Sequence, residues 1–437
     1  MSDPRKIAYD VLVKCASAEQ YSNIALDTAI KRSDLTPPDR GLLTALVYGV
    51  IERQITLDAI IDGLCERGSA DITPDVRTLL RLGLYQLAYL DRVPDHAAVN
   101  ETVNMAPKRS RGFVNAILRA FIRSGKEIPI PEKNEDPIRY LSVKYSFCEG
   151  LCECFVAAFG LVRTEELFAA FGEHPDLTLR TNTLRTSREE LIAKIGEQGI
   201  RALPTNESDA GIHICDKSPV TELYGFSEGL FFVQDEASQL CVKALDAQEG
   251  MRVLDACACP GSKSFGAAID MNNKGSVLSC DLHKNKLSLV ESGAKRLGIT
   301  ILSTAERDAR NTNEEWFGTF DRVLCDVPCS GLGVLSKKPD LRYKSEESAA
   351  ALPELQLSIL ENSAKYLKVG GEILYSTCTL RREENEEVVE KFLECNENFA
   401  KTDFLAGNIK SENGMLTLAP HIHGTDGFFM AKLKRTK

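Results

Sequence analysis

The chain has 437 residues, 43% hydrophobic and 27% charged, which is long enough for two or three separate cores of a globular protein. A charged residue interrupts every apolar run before it reaches membrane-spanning length, and the opening "MSDPRKIAYD" lacks the apolar stretch of a secretory signal, so a cytoplasmic protein is expected. The formal net charge of −10 excludes a protein that binds nucleic acid by overall charge alone.

That charge is unevenly spread. Residues 1–130 hold 17 Lys+Arg and 16 Asp+Glu, whereas the remainder carries a net −11. Within the near-neutral part, Lys108, Arg109, Arg111, Arg119 and Arg123 follow one another without an intervening acid. Such a run is either a solvated helix face or a patch that contacts phosphates.

Taken in order, residues 1–125 read as helices. In "TPDVRTLLRLGLYQLAYL", Thr73 suits a helix cap and Pro74 the first turn, and Val76, Leu79, Leu80, Gly83, Leu84 and Leu87 then follow helical spacing. "PPDRGLLTALVYGVIERQITLDAIID" and "RGFVNAILRAFIRS" show the same period. The proline-bearing "EIPIPEKNEDP" (127–137) predicts a linker. A small α+β segment is expected over 138–240, where short helices mix with strand-like "DLTLRTNT", "GIHIC" and "GLFFVQ". From 241 to 437, apolar strands alternate with amphipathic helices: "RVLDAC", "GSVLSCD", "TILSTA", "FDRVLCDVP" and "GEILYSTC". This rhythm predicts a doubly wound α/β sheet whose ligand sits at the carboxyl ends of the strands.

Fourteen cysteines in a chain without an export signal are expected to stay reduced, and most to be small buried hydrophobes. The groups Cys148, Cys152, Cys154 and Cys257, Cys259 lack paired CxxC or Cys/His spacing, so no metal site is expected.

The third region carries the chemistry. "VLDACACPGSKSFGAAI" reads as strand, tight loop and helix, with Gly261 admitting close backbone approach and the helix start offering free N–H groups. Acids then end the successive strands: Asp281, able to hold both ribose hydroxyls of a nucleoside, then Asp308 and Asp326. Helix caps or turns are the ordinary use of single acids, and Asp308 fits either reading. Cys329 and Cys378 each stand where a strand breaks into a loop beside that site.

"DACACPGSKS", "DVPCSGLGVLSKKPDLRY", "YSTCTLRREENEEV" and "GTDGFFMAKL" resemble the motifs of the Sun-type RNA cytosine-5 methyltransferases. "RLGLYQLAYLDRVPDHAAVNETV" and "RGFVNAILRAF" are similar to the NusB antitermination factor, a domain fused to one subfamily that acts on 16S ribosomal RNA. The resemblance implies an all-α NusB-like RNA-binding domain (1–130), an α+β bridging RNA-recognition segment (138–240) and a Rossmann-like methyltransferase domain (241–437). It implies S-adenosylmethionine held by Cys257, Ala258, Cys259, Pro260, Gly261, Ser262 and Lys263, with Asp281 on the ribose, Asp308 near the adenine and Asp326 completing the site. Two departures stand out: Ser262 replaces a family glycine, which would crowd the cofactor if that position needs positive φ, and "SFCEGLCECFVAAFG" lacks the family's tryptophan and proline.

Carbon 5 of cytosine is a poor nucleophile, and a thiolate that adds to carbon 6 makes it enamine-like. By the resemblance Cys378 is that nucleophile, Cys329 assists release, and Asp326 meets the amino and ring-nitrogen edge of the base. Amino-group methylation is the alternative chemistry, but a thiol stands where those enzymes place a base-stacking aromatic. Lys337, Lys338 and Arg342 are expected to join Lys108, Arg109 and Arg111 in contacting RNA phosphates. Glu383, Glu384 and Asn385 match a family signature and are expected to start a helix and order the loop. The implied target is cytosine 967 of free or partly assembled 16S RNA, acted on by a monomer that needs no membrane or metal. Rival readings are the same reaction on transfer or 23S ribosomal RNA, and a non-catalytic RNA-binding assembly factor.

Overall fold

Helix starts in the first half follow proline and short polar caps. The computed structural model describes residues 3–17, 22–65, 70–173, 175–344 and 349–437. The chain divides into two compact units, Met1–Gly172 with Leu335–Glu346, and Glu173–Val334 with Glu347–Lys437.

The first unit is helical: α1 (Pro4–Ala16), α2 (Ser22–Lys31), α3 (Pro37–Glu52), α4 (Gln54–Leu64), α5 (Pro74–Tyr89), α6 (Asp95–Met105), α7 (Arg111–Arg123), α8 (Pro137–Tyr145), α9 (Glu149–Phe159) and α10 (Leu161–Ala170). Asp3, Thr36 and Asp136 cap α1, α3 and α8 through their side chains, and each of those helices carries proline in its first turn. The expected apolar face of α5 is buried, with Val76, Leu79, Leu80, Leu84 and Leu87 all inside. The expected linker 127–137 runs between α7 and α8 without helix or strand until Pro137. Within 138–240, helices α8–α10 group with the first compact unit and the strands with the second.

Residues 335–346 return to the first unit. Leu335 and Leu341 are buried there, and Arg342 is 1% exposed. Its guanidinium donates to the carbonyls of Phe171 (2.8 Å), Glu52 (3.3 Å) and Tyr145 (3.4 Å), meets the Glu52 carboxylate at 3.3 Å, and lies 4.8 Å over the Phe147 ring. This corrects the expectation that Arg342 contacts RNA phosphates: the side chain is sealed inside, where its donors satisfy carbonyls at helix ends. Lys337 and Lys338 are exposed.

The second unit begins with a small antiparallel sheet, β1 (Leu177–Thr181), β2 (Ala202–Pro204), β3 (Gly211–Ile214) and β4 (Phe231–Val233), in the order β2-β3-β1-β4 with α11 (Arg188–Glu197). Helix α12 (Glu236–Leu245) leads to the large sheet. Its elements are β5 (Arg252–Asp255), α13 (Ser262–Asp270), β6 (Ser276–Asp281), α14 (Lys284–Leu297), β7 (Leu302–Glu306), β8 (Phe320–Asp326), α15 (Leu352–Ala364), β9 (Leu367–Thr377) and α16 (Glu386–Cys395). After them come β10 (Phe399–Lys401), the hairpin β11 (Leu405–Ala406) and β12 (Ile409–Lys410), β13 (Met415–Leu418), the single turn α17 (Pro420–His423) and β14 (Phe428–Arg435).

The strand order is β7-β6-β5-β8-β9-β14-β10, with β13 on β14; the first five run parallel and β14 runs antiparallel to β9. Helices on both faces explain the continuous apolar runs Val323–Leu324–Cys325 and Ile373–Leu374–Tyr375, all buried. From β5 the chain winds outward through β6 and β7, then returns to β8 and winds the other way. The switch point therefore lies between the carboxyl ends of β5 and β8. Open α/β sheets bind ligands there. Among the described residues no helix is long and apolar enough to cross a membrane.

Candidate active site

Five strand ends build the site, all within the second unit. Asp255 ends β5 and is 1% exposed. One of its carboxylate oxygens accepts from Ser264 Oγ at 2.6 Å, and Ser279 Oγ donates to that hydroxyl at 2.8 Å. Burial, augmented by the charge of Asp326 against the Ser264 hydrogen bond, pushes Asp255 up to about 7.

The loop after β5 turns at Gly261, whose φ of +106° lies in the region that favours glycine. A Cβ there would lie 2.7 Å from the Phe265 ring. Helix α13 starts at Ser262 with no side-chain cap, so its first N–H groups point out unclaimed by a capping side chain. Ser262 is absent from the positive-φ positions, so the crowding expected of a serine there does not arise; Gly261 takes the strain. Burial and the nearby Asp281 push the Cys259 thiol up to about 12, and burial first, then neighbouring Cys325 and Asp255, raises Cys257 far above the ordinary thiol range. Both thiols stay protonated.

Asp281 ends β6, where its two oxygens accept the N–H groups of His283 (2.9 Å) and Cys259 (3.3 Å). It thereby ties the loop after β5 to the neighbouring strand. Asp308 lies two residues beyond the end of β7, and its carboxylate is chelated by Arg310 at 2.6–3.1 Å. That hydrogen-bonded guanidinium lowers its pKa despite partial burial.

Asp326 ends β8. Lys263 Nζ reaches it at 2.7 Å and Ser376 Oγ at 2.8 Å. Lys263, at the end of the loop expected to cradle a cofactor, directs its ammonium to Asp326 and lies 5.2 Å from the Phe428 ring centroid. Burial opposes the charge on Lys263, but the Asp326 carboxylate outweighs it and holds the ammonium above its ordinary pKa. Ser376 escaped the sequence reading. Its only signal is the period-two alternation that sends it to the same face of β9 as Cys378.

Cys329, three residues past β8, and Cys378, one past β9, bring their sulfurs to 3.2 Å. Both are half-buried. The hydrogen bond with Cys378, then burial, then the charges of Cys378 and Glu384 raise Cys329 well above the ordinary thiol range. The two loops are stitched together: Gly333 N donates to Cys378 O (2.9 Å), Gly427 N to Gly333 O (2.8 Å), and Ser330 and Thr379 hydroxyls meet at 2.8 Å. Asn385 ties the same region, accepting from Thr377 Oγ1 (2.6 Å) and donating to Thr379 O (3.0 Å) just before α16 begins. The helix-starting, loop-ordering use expected for Glu383–Asn385 matches this geometry. Lys108, Arg109 and Arg111 are exposed in the first unit, with Arg111 also donating to Ala106 O and Asn104 O at the end of α6. Among the described residues no cluster of three His, Cys, Asp or Glu side chains has metal-site geometry.

Comparison with known proteins agrees with this architecture. A sequence model of "16S rRNA methyltransferase RsmB/F" matches residues 242–434, one of the NusB family matches 2–123, and one of the RsmF/B-like ferredoxin-like domain matches 150–221. The chain is 38% identical to the probable ribosomal RNA small subunit methyltransferase B of Bacillus subtilis strain 168, over 99% of this chain and 98% of that one. It is 37% identical to the protein of the same description from Synechocystis sp., over the full length of both. The crystal structure of PH0851 superposes with a TM-score of 0.82 at 26% identity, covering 100% of this chain and 99% of that one.

Proposed function

The chain belongs to the family of ribosomal RNA small subunit methyltransferase B, and on that premise we propose that it methylates carbon 5 of a cytosine in 16S ribosomal RNA through a covalent Cys378–carbon 6 bond. The observation that carries this reading is the 3.2 Å contact between Cys329 and Cys378 beside Asp326. Cytosine 967 is the proposed target.

S-adenosylmethionine fits the residues at the switch point. The uncapped start of α13 after Gly261 offers N–H donors, and Asp281 offers a carboxylate for a ribose. Cys257–Lys263 and Asp281 would hold it, with Asp308 near the adenine. Bound there, it supplies a methyl group on a positively charged sulfur.

The protein's part follows from its own groups. Asp326, oriented by Lys263 and Ser376, accepts hydrogen bonds from the polar edge of the base. In this reading the thiolate is Cys378, and Cys329, whose thiol the Cys378 hydrogen bond and burial hold above the ordinary range, keeps its proton. The Cys378 sulfur adds to carbon 6, and the displaced π electrons make carbon 5 the nucleophile toward the methyl group. Cys378 is then a thioether. The hydrogen bond and negative charge that kept Cys329 protonated are gone, so Cys329 can ionise to solvent and take the carbon-5 proton. The C–H electron pair restores the ring double bond, and Cys378 leaves as thiolate. Binding of the RNA outside the site is assigned to Lys108, Arg109 and Arg111 and to Lys337 and Lys338.

The test uses two variants. Cys378→Ala is expected to lose both methylation and covalent capture of RNA. Cys329→Ala is expected to accumulate an RNA–protein adduct that survives denaturing electrophoresis, because a step used only in breakdown has been removed. An adduct in Cys378→Ala and none in Cys329→Ala reverses the roles; full activity in both overturns the mechanism.

A further inference from the structure

Glu384 is fully buried, yet it is a carboxylate on a turn that a neutral residue could form. Its Oε2 accepts two hydrogen bonds at 2.9 Å, one from Ser330 N and one from Gln356 Nε2. The same Gln356 nitrogen donates to Pro328 O, also at 2.9 Å. The residues on both sides of Cys329 are therefore pinned to one carboxylate–amide pair, with Gln356 on α15 and Glu384 just before α16. The second oxygen, Oε1, has no hydrogen-bond partner, and its ion pair with Arg381 is long, 3.9 Å. Tyr375, also buried against this turn, gives its hydroxyl to Glu384 O at 2.5 Å.

We propose that Glu384, through Gln356 and Ser330, is the positioning residue of Cys329. This rests on the reading of Cys329 as the group that resolves the adduct. Burying a charge is costly where an amide would accept the same Ser330 hydrogen bond, so the geometry alone does not require a carboxylate. The charge does have a neighbour to act on. After the Cys378 hydrogen bond and burial, the charges of Cys378 and Glu384 are what raise the Cys329 thiol. Once Cys378 is bonded to the base, Glu384 is the remaining negative group of that set, and its charge bears on the pH at which Cys329 then ionises.

Glu384→Gln keeps the shape and the acceptor for Ser330 N–H but removes the charge. With S-adenosylmethionine and an unmodified 16S RNA transcript, the full-length variant is expected to shift its methylation pH profile to lower pH and to change adduct yield several-fold from wild type. Its affinity for S-adenosylmethionine should stay within twofold. In a Cys329→Ala background the same substitution is expected to change nothing further. Gln356→Met, which frees the Pro328 side while leaving the charge, is expected to accumulate adduct without moving the pH profile, and it serves if Glu384→Gln does not fold. An unmoved pH profile in Glu384→Gln, additivity with Cys329→Ala, or no adduct in Gln356→Met overturns the inference. Failure of Cys329→Ala itself to trap adduct overturns the parent reading instead.

Discussion

Two buried or half-buried acids near the switch point respond to different tests. Asp281→Ala removes a carboxylate proposed to hold ribose hydroxyls, and loss of such a charge-assisted bond costs about 1.5–3 kcal/mol, roughly ten- to a hundredfold in affinity. Isothermal titration with S-adenosylmethionine should register that loss, with RNA affinity unchanged. Asp255 is instead a question of pH. Its folded pKa of about 7 lies above its unfolded value, so the fold favours the protonated form; that stability is fully present below about pH 4 and is lost as pH rises through 7. Asp255→Asn mimics the protonated acid. The melting temperature of the variant minus that of wild type should therefore grow between pH 5 and 8, and a constant difference would mean that Asp255 is already paired. At this scale the sequence singled out the two thiols that meet, because each stands at a strand end in a distinctive motif. It did not reveal the Lys263–Asp326 pair or the burial of Arg342. Those depend on which distant segments meet, 63 residues apart in the first case, and no local period encodes that.

Among elements, the close meeting of two loops governs the site. Gly333 lies so near the chain at Gly427 that an added Cβ would sit 1.9 Å from Gly427 O and 2.9 Å from Cys378 O. Gly333→Ala must push the Cys329 loop away from the Cys378 loop. Misplacement of reacting groups by about 1 Å can cost on the order of a hundredfold in rate, so methylation should fall by about that factor while binding of S-adenosylmethionine, proposed for the ends of β5 and β6, is retained. A variant with normal rate would show that the loops are not held by this contact. The parallel core strands were legible because they are buried on both faces and read as unbroken apolar runs. The antiparallel β14 was not singled out as a strand: its "FFMAKLKR" ends in charges, and only its position beside β9 gives those residues a sheet to join.

For the whole molecule, the basic run and the reaction site belong to different units, and they should separate in experiments. Exchanging Lys108 and Arg109 for Gln spares Arg111, whose guanidinium also holds the end of α6. If the two contact phosphates, the slope of log affinity against log salt should shrink by about 1.5–2. Affinity for S-adenosylmethionine should not move. An unchanged slope would assign the run to a solvated helix face, the ordinary alternative for such charges.

The excursion at 335–346 also bears on how the protein is made. Residues 1–172 leave the ribosome first, but their Arg342 plug is encoded far downstream. At translation rates of about 5–20 residues per second, it emerges roughly 10–35 s after residue 172. During that interval Glu52 lacks its Arg342 partner and keeps the longer 3.7 Å pair with Arg53, and the Phe171 and Tyr145 carbonyls lack the Arg342 donor. The contacts that Arg342 adds to the amino-terminal unit therefore form only after β5–β8 and the first of the two paired cysteines have also been synthesised.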